Sequence, residues 1–212
     1  MRVNLSWCKL LLVLSLAVAS LSACRRGAGE ASDAHASASS ASSASVPAGK
    51  IEVAILAGGC FWGMQEILRK IPGVVSTDVG YTGGASTATA TYSDVHNGRT
   101  GHAESVRIVF DPTKLSYADL LEKWFFRMHD PTTQNRQGND VGTQYRSAIF
   151  YTSEEQKRVA EKVKADTERA GKWKKPIVTQ IVPAQQFYDA EDYHQDYLVK
   201  NPGGYTCHFL RD

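Results

Sequence analysis

The junction at residues 51–73 constrains this chain more than any other stretch. Ile51-Glu52-Val53-Ala54-Ile55-Leu56-Ala57 is apolar and β-branched, the composition of a buried strand. Gly58 and Gly59 follow at once and permit a sharp turn without steric cost. Phe61, Met64, Ile67, Leu68 and Ile71 then recur at helical spacing, and Pro72-Gly73 ends the helix. Strand, glycine turn and amphipathic helix come in immediate succession, with Cys60 on the hinge. A thiol at a helix start meets unpaired amide N–H groups and the positive end of the helix dipole. Such a position can bring a cysteine from about 8.5 to below about 7.5, so Cys60 is expected to be an activated nucleophile. The plain alternative is a small hydrophobe against the strand. The aromatic pair Phe61-Trp62 beside it favours a pocket wall.

Val74 to Tyr81 reads as a second strand, and Glu104 to Phe110 as a third, ended by Asp111-Pro112. Between them, Thr82 to Gly101 is a long loop rich in Gly, Thr and Ser, of the kind that carries function. Ser116 and Asp119 form a capping box for a helix over 116–127, with Leu120, Leu121, Trp124 and Phe125 on one face. A polar loop over 130–144 leads to a short strand over 147–151. Thr152 with Glu155 is expected to cap a charged helix running to about Arg169. A strand over 177–183, a short helix near 191–198 and a Pro/Gly-rich tail from Asn201 follow. Strands and helices mix without strict alternation. That predicts an α+β domain of two layers, with helices covering a mixed or antiparallel sheet.

The first residues read differently. Arg2 and Lys9 accompany an apolar run, Leu10 to Ala19, too short to cross a bilayer. The run leads to Leu21-Ser22-Ala23-Cys24, which resembles a bacterial lipobox. Residues 1–23 are therefore expected to be a lipoprotein signal peptide, with Cys24 lipidated. An ordinary cleaved signal and an uncleaved anchor are the alternatives. Residues 24–49 are almost all Ala, Ser and Gly and cannot offset their ordering entropy, so they read as a flexible tether spanning about 25–30 Å. The domain over 50–212 is then expected in the cell envelope, held by its lipid. Arg25 after the lipidated cysteine favours an outer-membrane anchor facing the periplasm. Without Arg2 and Lys9, the 24 Lys+Arg of the chain become 22, against 22 Asp+Glu. That balance gives no reason to expect nucleic acid as a partner.

Of four cysteines, Cys8 would leave with the signal peptide and Cys24 would be consumed by lipid, which leaves Cys60 and Cys207. Counting alone favours a structural disulfide in an oxidising compartment. The setting of Cys60 favours a reactive thiol. The histidines show no ligand spacing, so no metal is expected.

Gly58-Gly59-Cys60-Phe61-Trp62-Gly63 resembles the signature of the peptide methionine sulfoxide reductases of the A type. The resemblance continues through Gly80-Tyr81-Thr82-Gly83-Gly84, Gly101-His102-Ala103-Glu104 and His129-Asp130-Pro131-Thr132. It is strongest over Arg136 to Ser147 and extends to Ala190-Glu191-Asp192-Tyr193-His194-Gln195. The blocks occur in order and cover essentially all of 50–212.

The resemblance implies a ferredoxin-like fold of split β-α-β type. It also implies thiol-dependent reduction of methionine S-sulfoxide, protein-bound or free, and so the repair of oxidised proteins. Cys60 would attack the sulfoxide sulfur and end as a sulfenic acid. Glu104 matches the family's acid, and Tyr92 and Tyr145 match the tyrosines that hydrogen-bond the sulfoxide oxygen. Asp140 matches the aspartate that helps hold the site, and Phe61 and Trp62 would hold the substrate methyl. Cys207 would resolve the sulfenic acid as a Cys60–Cys207 disulfide, recycled by an external thioredoxin-like dithiol, with no bound cofactor.

Without the resemblance, Glu104 reads as an exposed strand glutamate, Tyr92 and Tyr145 as packing residues, and Asn139-Asp140 as a turn. The chain departs from the family pattern at Ala90, where a proline usually precedes Thr91-Tyr92, and the loop is expected to be looser for it. A monomer is expected, touching a membrane only through its lipid. Two other classes could use the same cysteines. One is a thiol peroxidase or disulfide oxidoreductase, which the lack of a C-x-x-C disfavours. The other is a surface-anchored binding module stapled by one disulfide.

Overall fold

The structure, a computed structural model, describes residues 51–85, 88 and 90–212. The signal peptide, lipidated Cys24 and tether expected over 1–49 lie outside the described residues. The strands are β1 (Glu52–Gly58), β2 (Val74–Thr82), β3 (Ala103–Phe110), β4 (Arg136–Gln137), β5 (Asp140–Val141), β6 (Ser147–Tyr151), β7 (Gln180–Pro183) and β8 (Tyr188–Asp189). The helices are α1 (Phe61–Leu68), α2 (Tyr92–His96), α3 (Tyr117–Asp119), α4 (Phe126–Met128), α5 (Glu154–Arg169) and α6 (Tyr197–Lys200).

One mixed, six-stranded sheet has the order β7-β6-β1-β3-β2-β8. β1 and β2 both run antiparallel to β3, which lies between them, so the β1-α1-β2 unit straddles a strand made later. In the same way, β3 and β6 straddle β1. β7 pairs in parallel with β6, and β4 and β5 form a separate small hairpin. Side chains alternate between the two faces. Ala54, Leu56, Val106, Ile108 and Phe110 pack under the helices, while Ile55, Ala57, Ala148 and Phe150 pack on the other face with Phe187. The α+β, two-layer reading holds.

Met64 and Leu68 are fully buried and seat α1 on the sheet. Burying each contributes about 1.5–3 kcal/mol, and that fixes the turn carrying Cys60. The register Leu56↔Val106, continued by two residues, brings Glu104 beside this turn, on the helix-covered face.

Several local expectations shift. The helix over 116–127 keeps its cap, with Ser116 Oγ accepting the Asp119 N–H at 3.0 Å. Its middle, Leu120–Phe125, is a π-helix. The wider turn lets two consecutive pairs five residues apart, Leu120-Leu121 and Phe125-Phe126, all be buried. The α5 cap is Ser153, one residue later than expected. Its Oγ accepts the Gln156 N–H, and the Gln156 side chain takes the Thr152 N–H in return. The loop after β2 contains α2, capped by Thr91, whose Oγ1 accepts the Asp94 N–H. The helix expected over 191–198 is confined to α6, because Asp196 adopts a left-handed φ of 51°.

Candidate functional site

Cys60 is the N-cap of α1 and nearly buried. Its side chain makes no capping hydrogen bond, and the Trp62 N–H only partly lowers its pKa. The Phe61 N–H instead bonds Glu104 Oε2 at 3.1 Å. Burial first, and the Glu104 charge second, push the Cys60 thiol well above its ordinary range. The expected depressed thiol is therefore absent: the helix end is outweighed by desolvation and by a neighbouring acid. Glu104 is 2% exposed, and burial lifts its carboxyl from 4.5 to about 8 against the pull of the Phe61 N–H. Both groups hold protons at neutral pH. The phenols of Tyr92 and Tyr145 are pushed up by burial and then by Glu104, so they too stay protonated donors.

Cys60, Phe61, Trp62, Tyr92, Glu104, Asp140 and Tyr145 line one cavity of about 190 Å³, together with His96 and Tyr205. The residues expected at the site are thus brought together from α1, α2, β3, β5 and the 3-10 turn Thr143–Tyr145. The volume suits the end of a side chain better than a free-standing ligand. A larger groove of about 550 Å³ beside Tyr117 and α5 is open and gathers no cysteine or histidine.

Trp62 is held on both sides. Its indole stacks on Tyr197 at 3.8 Å between ring centroids, and its Nε1–H donates to His194 Nδ1 at 3.0 Å. His194 is buried among Phe61, Trp62 and Tyr92, and burial lowers its pKa, so its Nδ1 stays an acceptor. The Tyr92 N–H donates to Glu191 Oε1 at 2.9 Å, and the Tyr81 hydroxyl donates to Glu191 Oε2 at 2.9 Å. Glu191 and the Thr91 cap therefore fix Tyr92 in a loop that lacks the usual proline.

Asp140 accepts hydrogen bonds from the Tyr205 hydroxyl at 3.0 Å and from Cys207 Sγ at 3.2 Å. Both cysteines are free thiols, and the Cys60 N–H acts to lower the Cys207 pKa. Burial and Asp140 push the Cys207 thiol up to about 12. Among the described residues, no group of three or more His, Cys, Asp or Glu is arranged to hold a metal ion.

His194, Glu191, Tyr197 and Tyr205 had no role in the reading of the sequence. Trp62 and His194 are 132 residues apart, so no local pattern joins them. Only the matching block over 190–195 marked that region.

Residues 52–211 match the family model described as Peptide methionine sulfoxide reductase. The peptide methionine sulfoxide reductase MsrA 1 of Mesorhizobium japonicum is 59% identical over 160 residues, 76% of this chain and 90% of its own. The crystal structure of Mxr1 from Saccharomyces cerevisiae in reduced form aligns with a TM-score of 0.72 at 41% identity, covering 77% of this chain and 93% of that one. The same yeast protein in complex with Trx2 aligns with a TM-score of 0.53 at 30% identity, covering 79% and 94%.

Proposed function

This chain belongs to the peptide methionine sulfoxide reductase A family, and from that premise we propose the route by which it turns over. It is an oxidoreductase that reduces methionine sulfoxide to methionine. In the proposed route the substrate is the S epimer, with its methyl against Trp62 and Phe61. Its oxygen faces Glu104, Tyr92 and Tyr145. Glu104 gives its proton to that oxygen as Cys60 Sγ attacks the sulfoxide, and the Cys60 proton returns to the vacated carboxylate. Oxygen leaves with Cys60 as a sulfenic acid. The methionine sulfur gains two electrons and the Cys60 sulfur loses two. One observation carries this reading: a buried carboxyl raised to about 8 shares a cavity with the thiol.

Cys207 then resolves the sulfenic acid as a Cys60–Cys207 disulfide with loss of water, and a thioredoxin-like dithiol reduces that disulfide by exchange. The tie of the neighbouring His208 to the Gly58 carbonyl, at the turn that carries Cys60, supports the pairing, and the likeness to a chain solved with Trx2 supports the reductant. We further propose a monomer. The Leu21-to-Cys24 motif supports a lipid-anchored domain over 50–212 in the cell envelope, on the outer membrane facing the periplasm. The mass of the mature N-terminus tests that.

Single turnover with each epimer of a blocked methionine sulfoxide tests the substrate, with only the S epimer expected to yield methionine. Cys207→Ser is expected to release about one methionine per enzyme and stall. Sustained turnover of that variant with a thioredoxin-type dithiol would refute the resolving role.

A further inference from the structure

Cys207 follows two glycines, which in sequence suggests a thiol on a moving tail. In the structure the glycines and the cysteine are in different situations. Gly203 is exposed, and a side chain there would meet nothing within 4 Å. Four residues after Gly204, His208 is 7% exposed and inserted beneath the Cys60 turn. Its Nε2 lies 2.8 Å from the carbonyl oxygen of Gly58. A carbonyl only accepts, so the ring proton is on Nε2 and Nδ1 carries a lone pair. That Nδ1 lies 3.5 Å from Cys207 Sγ.

The slot for this ring is built from the glycines around Cys60. A Cβ on Gly59 would come within 3.1 Å of His208 Cε1, and Gly59 also has a φ of 110°. A Cβ on Gly63 would come closest to Thr206 Oγ1 and within 2.6 Å of His208 Nδ1. The tail is tied on both sides of the ring. Thr206 Oγ1 accepts the His208 N–H at 3.1 Å, and Gln137 Nε2 donates to the Cys207 carbonyl. Further along, Arg211 N–H bonds the Arg127 carbonyl, and Arg127 Nε bonds the Arg211 carbonyl.

We propose that His208 is the positioning residue of the resolving step, a latch on the Gly58 carbonyl that holds Cys207 Sγ docked beside Cys60 before substrate arrives. The inference rests on the proposed resolving role of Cys207. In that step the Cys207 S–H bond and the Cys60 S–O bond break, and an S–S bond forms. The Cys207 proton joins the departing hydroxyl as water. Cys207 sulfur is oxidised, Cys60 sulfur is reduced, and no outside reactant is consumed. A docked sulfur makes the step first-order and independent of any search by the tail.

The test follows one molar equivalent of substrate in the full domain. Methionine release reports the first step, dimedone trapping reports the life of the sulfenic acid, and thiol loss reports the disulfide. His208→Ala is expected to release its one methionine but to form the disulfide at least about tenfold more slowly, with a matching rise in dimedone adduct. His208→Gln places an amide donor where Nε2 stood and is expected to recover most of the lost rate. Gly63→Ala crowds Thr206 and the His208 ring out of the slot without altering the ring itself and is expected to slow the same step, which keeps the test alive should His208→Ala fail to fold.

A wild-type disulfide rate in His208→Ala, or in Gly63→Ala, overturns the latch. So does a His208→Gln variant no faster than His208→Ala. If Cys207→Ser itself turns over normally, the resolving role has failed. If Cys207→Ser stalls while the latch variants form disulfide at the wild-type rate, the latch alone has failed.

Discussion

Glu104→Gln separates what the buried acid does for chemistry from what it costs the fold. The amide keeps an oxygen to accept the Phe61 N–H, which Glu104 now receives at 3.1 Å. It cannot ionise. In the unfolded chain the Glu104 carboxyl titrates near 4.5, and in the folded one at about 8. A folded value above the unfolded one means that stability is full below about 4.5 and is lost as pH rises through 8. Within that window the loss approaches about 1.4 kcal/mol per pH unit, or about 5 kcal/mol in all.

Urea unfolding at pH 5.5 and pH 8.5 measures it, with both proteins in a Cys60→Ser background so that the thiol does not titrate. Between those two pH values the glutamine variant is expected to gain about 3 kcal/mol on its parent. In the protein that retains Cys60, the same substitution is expected to slow methionine release in single turnover by about 10²–10⁴-fold. Parallel stability profiles would refute the buried, proton-holding carboxyl. An unchanged single-turnover rate would remove Glu104 from the acid role.

Trp62→Ala removes the proposed wall for the substrate methyl and deprives His194 Nδ1 of its donor; steady-state kinetics are expected to show KM rising about tenfold or more, with a smaller fall in kcat. Ser153→Ala removes the α5 cap and is expected to lower unfolding stability by about 1 kcal/mol, with activity unchanged because Ser153 does not line the cavity.

Much of this is legible in the sequence. The β1–α1 junction is written in a run of strand formers, two glycines and a helical repeat, all of them local signals. Cys60, Glu104, Asp140 and the tyrosines were found through ordered motifs, and they converge on one cavity. The thiol's environment was misread because dipole arguments see only the helix that carries Cys60. Burial under the tail and the approach of Glu104 from β3 are tertiary facts. The π-turn in 120–125 was missed because helical periodicity assumes a constant turn. His194 and His208 were passed over because their partners, Trp62 and Gly58, are 132 and 150 residues away.

The docked tail also bears on synthesis. Gly58 and His208 are separated by 150 residues, and ribosomes add about 5–20 residues per second. For roughly 8–30 s, then, the nascent chain carries its proposed nucleophile without Cys207 and without Tyr205 to line the pocket. On the proposed route, the redox couple is armed only when its final segment folds home. A polypeptide stopped short of that segment would hold much of the sheet and none of the proposed recycling chemistry.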